Sequence, residues 1–148
     1  MILRFCQKKK QYRWGRLPVL AYKEEGTHFK RIRRQILFGE AQGFCSQLRY
    51  FEIASGGHST LERHRHVHGV MILRGTGKVL IGKDILTVRP FDILYIPPRQ
   101  WHQFRAGSGP AFGFLCLVNC DRDRPERPTV AALKHLCRTA TVSRFIRT

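Results

Sequence analysis

Apolar and aromatic residues fall in short runs through the middle of this chain, each closed by glycine or proline. Gln47 to Ala54 alternates roughly between polar and apolar side chains and ends at Ser55-Gly56-Gly57, which predicts a strand followed by a turn, with Gly57-His58-Ser59 in a loop. Val67 to Leu73 is a second run, stopped at Gly75-Thr76-Gly77. Lys78 to Ile81 and Ile85 to Val88 flank Gly82-Lys83-Asp84, the pattern of a hairpin. Arg89-Pro90 breaks the series, Phe91 to Ile96 resumes it, and Pro97-Pro98 breaks it again. Trp101 to Arg105 and Ala111 to Val118 complete it. Short strands at this spacing, with no helical period between them, indicate an all-β sandwich or barrel.

The ends read differently. Residues 1–16 are basic and aromatic without a clear period, as in a mobile arm or an added edge strand. Residues 17–120 form the barrel, and 121–148 form a connector and a short C-terminal helix. The connector is Asp-Arg-Asp-Arg-Pro-Glu-Arg-Pro over 121–128. Thr129 then caps a helix with Val130, Leu133, Leu136 and Cys137 on one face, packed on the outside of the barrel.

At 148 residues the chain is one domain. Its net charge is +17, with 27 Lys and Arg against 10 Asp and Glu. The excess is spread along the chain. Only Lys8-Lys9-Lys10 and Arg31 to Arg34 are local clusters, and no nucleic-acid-binding signature accompanies them, so nucleic acid is disfavoured as a partner. Five cysteines without a C-x-x-C pair argue against a disulfide framework or a zinc ribbon. No stretch has the length and apolarity of a signal peptide or a membrane span, and the expected location is cytoplasmic.

The chemistry concentrates in Leu61-Glu62-Arg63-His64-Arg65-His66-Val67-His68. In an extended strand Glu62, His64, His66 and His68 share one face. Buried imidazoles and a carboxylate need partners, and one divalent cation satisfies several at once. A helical H-x-x-x-H pairing of His64 with His68, as in zinc proteases, lacks the adjacent glutamate and has strand-like flanks. His102 follows a proline turn on a later strand that can lie opposite the first group.

At these residues the chain resembles the cupin superfamily. The first cupin motif, a glycine, H-x-H, a glutamate and a closing glycine, is similar to Gly56-Gly57 through Gly75. The second, a G-D dipeptide, a P-x-G turn and one histidine, is similar to Phe91-Asp92 through His102. The resemblance covers about residues 45–118 and implies a double-stranded β-helix (a cupin or jelly-roll barrel). Counted back from Gly75, the family's histidine positions fall on Glu62 and His64, its glutamate on His68 and its last histidine on His102, so three imidazoles and one carboxylate are kept. Phe91 and Arg99 stand where the family has glycine.

The implied cofactor is one divalent transition metal (iron, manganese, nickel or zinc) on Glu62, His64, His68 and His102, with His66 a possible substitute ligand. Glu62 and His66 are also the candidate catalytic bases. Tyr95 and Phe104 are candidate pocket-lining residues, and Arg63, Arg65 and Arg74 could recruit an anionic ligand. Dioxygenase, isomerase or lyase chemistry on a small organic molecule is implied. Non-catalytic ligand binding or sensing is the alternative, and homodimerisation through edge strands and the aromatic N-terminal segment is expected.

Overall fold

In a computed structural model that describes residues 2–8, 10–23 and 25–148, the chain folds as an all-β half-barrel with two short C-terminal helices. Lys9 of the basic triplet lies outside the described residues. Eleven strands are present among the described residues: β1 (Phe5–Lys8), β2 (Gln11–Trp14), β3 (Leu20–Ala21), β4 (Lys30–Phe38), β5 (Ser46–His58), β6 (His68–Arg74), β7 (Gly77–Ile81), β8 (Asp84–Val88), β9 (Ile93–Ile96), β10 (His102–Ala106) and β11 (Phe112–Asn119). Nine form one antiparallel sheet in the order β8-β7-β10-β5-β11-β6-β9, with β4 beside β5 and β3 beside β4. This is the double-stranded β-helix that the sequence motifs imply.

β5 holds the two halves together. Residues 46–53 pair with β11 on one side and residues 48–53 with β4 on the other, while His58 at its far end lies between Lys30 of β4 and Arg105 of β10. The predicted turn at Ser55-Gly56-Gly57 is therefore a bend inside a longer strand, and His58 belongs to that strand rather than to a loop. Gly56 takes φ +71°. At Gly57 a Cβ would stand 2.5 Å from the carbonyl oxygen of Lys30, so only glycine lets the backbones approach this closely. The predicted hairpin forms as read, with Ile81 opposite Asp84 and Gly82 at φ +65°.

Inward-facing residues build the main core, with Phe51, Ile53, Ile72, Val79, Phe112 and Phe114 at its centre. A second apolar cluster lies outside, where Leu61 and Leu80 meet Leu136, Val142, Phe145 and Ile146. One helix was expected there and two form: α1 (Val130–Leu136), capped by Thr129, and α2 (Ala140–Phe145), capped by Thr139. Val130 is 74% exposed and does not join the buried face. Leu133 and Leu136 do. Gln103 of β10 fastens the chain end, donating to the carbonyl of Arg147 at 2.6 Å and accepting from its amide at 2.9 Å.

Residues 1–16, expected as an arm or an added edge strand, contain β1 and β2. β1 and β2 form a separate hairpin laid on the outer face of the sheet. The amide of Tyr12 donates to Glu52 at 3.1 Å, and Gln35 donates to the carbonyl of Tyr12 at 3.0 Å. Tyr12 and Trp14 pack against Tyr50. Glu52 is 2% exposed and is neutralised by Arg33 and by Arg74, the latter at 3.1 Å, while Tyr50 Oη donates to it at 2.9 Å. Gly113 on β11 leaves room for that hydroxyl, because a Cβ there would lie 2.1 Å from it.

Four non-glycine residues among those described, Lys10, Arg31, Phe91 and Arg99, take positive φ. Phe91 and Arg99, where related motifs place glycine, adopt φ +74° and +60°. The left-handed turns are kept without the residue best suited to them. Phe91 is 75% exposed, so little packing compensates. Phe91→Gly is expected to stabilise the fold by about 1 kcal/mol in urea titration. Gly113→Ala is expected to destabilise it by about 1–3 kcal/mol, because the new methyl displaces the Tyr50 hydroxyl from Glu52.

Candidate metal centre

His68 opens β6, where it pairs with Ile96, and His102 opens β10, where it pairs with Ile81. His64 sits in the connection between β5 and β6. Its carbonyl accepts from the amide of Arg99 at 2.6 Å, so the strained turn of the second motif anchors a residue of the first. Glu62 and His102 exchange backbone hydrogen bonds of 3.2 and 3.0 Å.

The expected single strand from Glu62 to His68 does not form. Glu62 and Arg63 make isolated bridges, and the chain bends at Arg65 and His66. Asp123 of the connector accepts from both backbone amides at the bend, at 2.8 and 3.1 Å, and pulls the chain out of an extended path. A second tie pairs Arg63 with Glu126 through two backbone bonds and a 2.9 Å ion pair. The histidines therefore converge through a bend, not through alternation along one strand.

His64, His68 and His102 present ligand nitrogens that all lie within 4.8 Å of one another. The Nδ1 of His64 lies 2.7 Å from the carbonyl of His66, and that of His102 lies 3.0 Å from the carbonyl of Gln100. A carbonyl can only accept, so both Nδ1 atoms are protonated and both Nε2 atoms keep their lone pairs. The Nε2 atoms of His64 and His68 are buried with no hydrogen-bond partner among the described residues. Burial holds His64 down to about 4 and pushes His68 and His102 below the ordinary imidazole range. Neighbouring imidazoles push His64 and His68 lower still. Neutral rings with orphaned lone pairs facing one point are a fit for a divalent transition metal.

Glu62 stands in the same cavity wall, 7% exposed. Its Oε2 lies 2.6 Å from Lys23 Nζ, and its Oε1 accepts from Tyr22 at 3.4 Å. It is not one of the three mutually close groups. His66 stacks on His64 with centroids 3.6 Å apart, and its Nδ1 donates to Asp123 at 2.8 Å.

These groups face a cavity of about 430 Å³ walled by Phe51, Phe104, Phe114 and Ile32 on its apolar side. Phe104 lines it. Tyr95 does not: it is 60% exposed, because alternation along β9 turns Ile96 inward and Tyr95 out. Arg63, Arg65 and Arg74 are paired with Glu126, Asp123 and Glu52. Asp123 went unnoticed in the sequence because nothing in a polar connector marks one acid as the partner of a distant histidine. Arg49 and Arg122 were also missed, although Arg49 occupies an inward slot of β5 where an apolar residue is the norm.

In the metal-free protein, stability depends on keeping these imidazoles neutral. Their folded values lie below the unfolded value of about 6.5, so the unfolded chain binds protons that the folded chain refuses. This stability is complete above about pH 6.5 and is lost as pH falls toward the His64 value of about 4. The thermal midpoint of metal-free protein is expected to drop by several degrees between about pH 7.5 and pH 5. An unchanged midpoint would contradict neutral burial.

The cupin domain family matches residues 49–118. The chain is 50% identical over 137 residues to the 1-methylthio-D-xylulose 5-phosphate methylsulfurylase of Rhodospirillum rubrum, covering 92% of this chain and 87% of that protein. A crystal structure of a cupin 2 conserved barrel domain protein from Rhodopseudomonas palustris superposes with a TM-score of 0.89 at 44% identity, over 98% of this chain and 99% of that one. A cupin-2 domain structure from Rhodospirillum rubrum gives 0.86 at 49% identity, over 96% and 94%. Sequence motifs, barrel topology and relatives agree, and the chain belongs to the cupin superfamily as a small single-domain protein with a cupin-2-type barrel.

Proposed function

We propose that this cupin is a metal-dependent enzyme acting on a methylthio-bearing ketopentose phosphate, the substrate class in the name of its 50%-identical relative. Such a compound carries a ketone beside the carbon that bears sulfur. Chemistry at that carbon calls for a Lewis acid at the ketone oxygen and a group that moves a proton nearby. The observation that carries the reading is the trio of buried imidazoles, two of them with an unpartnered Nε2, on a cavity with both aromatic and cationic walls. This reading replaces the dioxygenase, isomerase or lyase chemistry that the superfamily resemblance implied, because the relative is named for a different reaction type.

His64, His68 and His102 are the proposed metal ligands, with Glu62 as the fourth donor and Lys23 balancing its charge. When bound, the metal supplies a Lewis acid that polarises the ketone oxygen. His66 is the proposed proton carrier. The bond from its Nδ1 to Asp123 fixes the tautomer and leaves Nε2 to give or take the proton at the carbon beside the ketone. Phe104 and Phe114, stacked with centroids 4.4 Å apart, exclude water from one side of the cavity. No helix among the described residues is long and apolar enough to cross a membrane.

Protein purified without a metal-affinity tag is expected to carry a transition metal and to consume 1-methylthio-D-xylulose 5-phosphate in the presence of a thiol. The methylthio group leaves as the mixed disulfide with the thiol and the thiol's proton goes to the carbon beside the ketone, so NMR follows the substrate's S-methyl signal as it gives way to that of the methyl disulfide and to a new C-methyl signal. His102→Ala should abolish both metal content and turnover. His66→Gln and Asp123→Asn should keep the metal and lower kcat by about 100-fold. Full turnover by stripped protein, or by His66→Gln, would sink the assignment.

A further inference from the structure

The imidazoles occupy one part of the cavity wall, and another part is cationic for no reason that metal binding supplies. Lys23, Arg34, Arg49 and Arg122 line the cavity, and Glu62 is the one carboxylate among its lining residues. With neutral imidazoles the wall carries a net charge of +3. Lys23 is committed to Glu62.

Arg49 is the most telling of these residues. It shares the inward face of β5 with Phe51 and Ile53 and is only 8% exposed. Its Nε has no hydrogen-bond partner among the described residues. Its Nη2 reaches only the Cys116 thiol at 3.4 Å, and its guanidinium lies 5.0 Å from the centre of the Phe51 ring. Among the described residues no carboxylate pairs with it.

Arg122, just beyond β11, is half-buried and donates only to neutral oxygens: the carbonyls of Asn119 and Cys120 at 3.0 and 3.3 Å, and Gln47 Oε1 at 3.3 Å. Both guanidinium groups line the same cavity, and burial and the charge of Arg49 lower the proton affinity of Arg122. Like charges gathered in a partly desolvated wall without an anion are costly, and a bound dianion removes the cost. A phosphoryl group brings two negative charges and three acceptor oxygens, which suit forked guanidinium donors better than a single carboxylate does.

We propose that Arg49 and Arg122 are the phosphoryl-binding residues of this cavity, taking the phosphate of a small phosphomonoester whose carbonyl end reaches the histidine cluster. The proposal rests on the ketopentose-phosphate reading and deepens it. It assigns selection of the phosphorylated form to two residues outside the metal centre, one on β5 and one on the segment after β11.

Calorimetric titration of the metal-loaded full chain with D-xylulose 5-phosphate, D-xylulose and inorganic phosphate tests it. The phosphate ester is expected to bind about 100-fold more tightly than the free sugar, with inorganic phosphate competing. Arg122→Gln should reduce that preference about tenfold and Arg49→Met about 100-fold, with metal content and D-xylulose affinity unchanged. Arg49→Lys keeps the charge and the stem but loses the fork, and should fall between wild type and Arg49→Met. Should Arg49→Met fail to fold, Arg122→Gln and Arg49→Lys decide. Equal binding of sugar and sugar phosphate overturns the proposal, as does an undiminished preference in the folded variants. If the preference depends on both arginines but no methylthio substrate is turned over, the subsite stands and the assigned reaction fails. If turnover occurs and the preference ignores both arginines, the reaction stands and the subsite fails.

Discussion

Three imidazoles held neutral and nearly free of water, with lone pairs aimed at one point, are the constraint around which the rest of this barrel is arranged. Buried polar nitrogens are unfavourable unless something binds them. Much of the surrounding backbone serves to keep them in place. Carbonyls of His66 and Gln100 fix two tautomers, the Arg99 turn holds the His64 backbone, and the bridge between Glu62 and His102 joins the two motif segments. The left-handed conformation of Arg99 is thus tolerated at a point where the backbone amide has a specific task.

The barrel was legible in the sequence wherever local patterning decides the outcome. The β7–β8 hairpin follows from a glycine-containing turn between apolar runs. The convergence of His64, His68 and His102 follows from motif spacing. Elsewhere long-range contacts override local signals. Gly56 and Gly57 look like a turn, yet partners on both sides carry β5 through them. The basic and aromatic start of the chain shows no period because it is ordered from outside, by Glu52, Gln35 and Tyr50. Tyr95 depended on a strand register that the preceding proline obscured. Asp123 acts across 57 residues of sequence, where no local pattern reaches.

A few arginines have a carboxylate partner, Arg63 with Glu126 and Arg33 and Arg74 with Glu52. Arg49 and Arg122 have none among the described residues, and both border the cavity. What sets these two apart is their place in the cavity wall, which is why the proposed phosphoryl site is assigned to them.

Asp123 gives the site a mechanical property of its own. Backbone amides in the sheet are held by strand partners and are released only when strands separate. Those of Arg65 and His66 are held by one side-chain carboxylate on a surface segment. The bend that carries His66 is therefore held from outside the strand ladder, and its shape depends on one acid in the connector rather than on the register of the sheet.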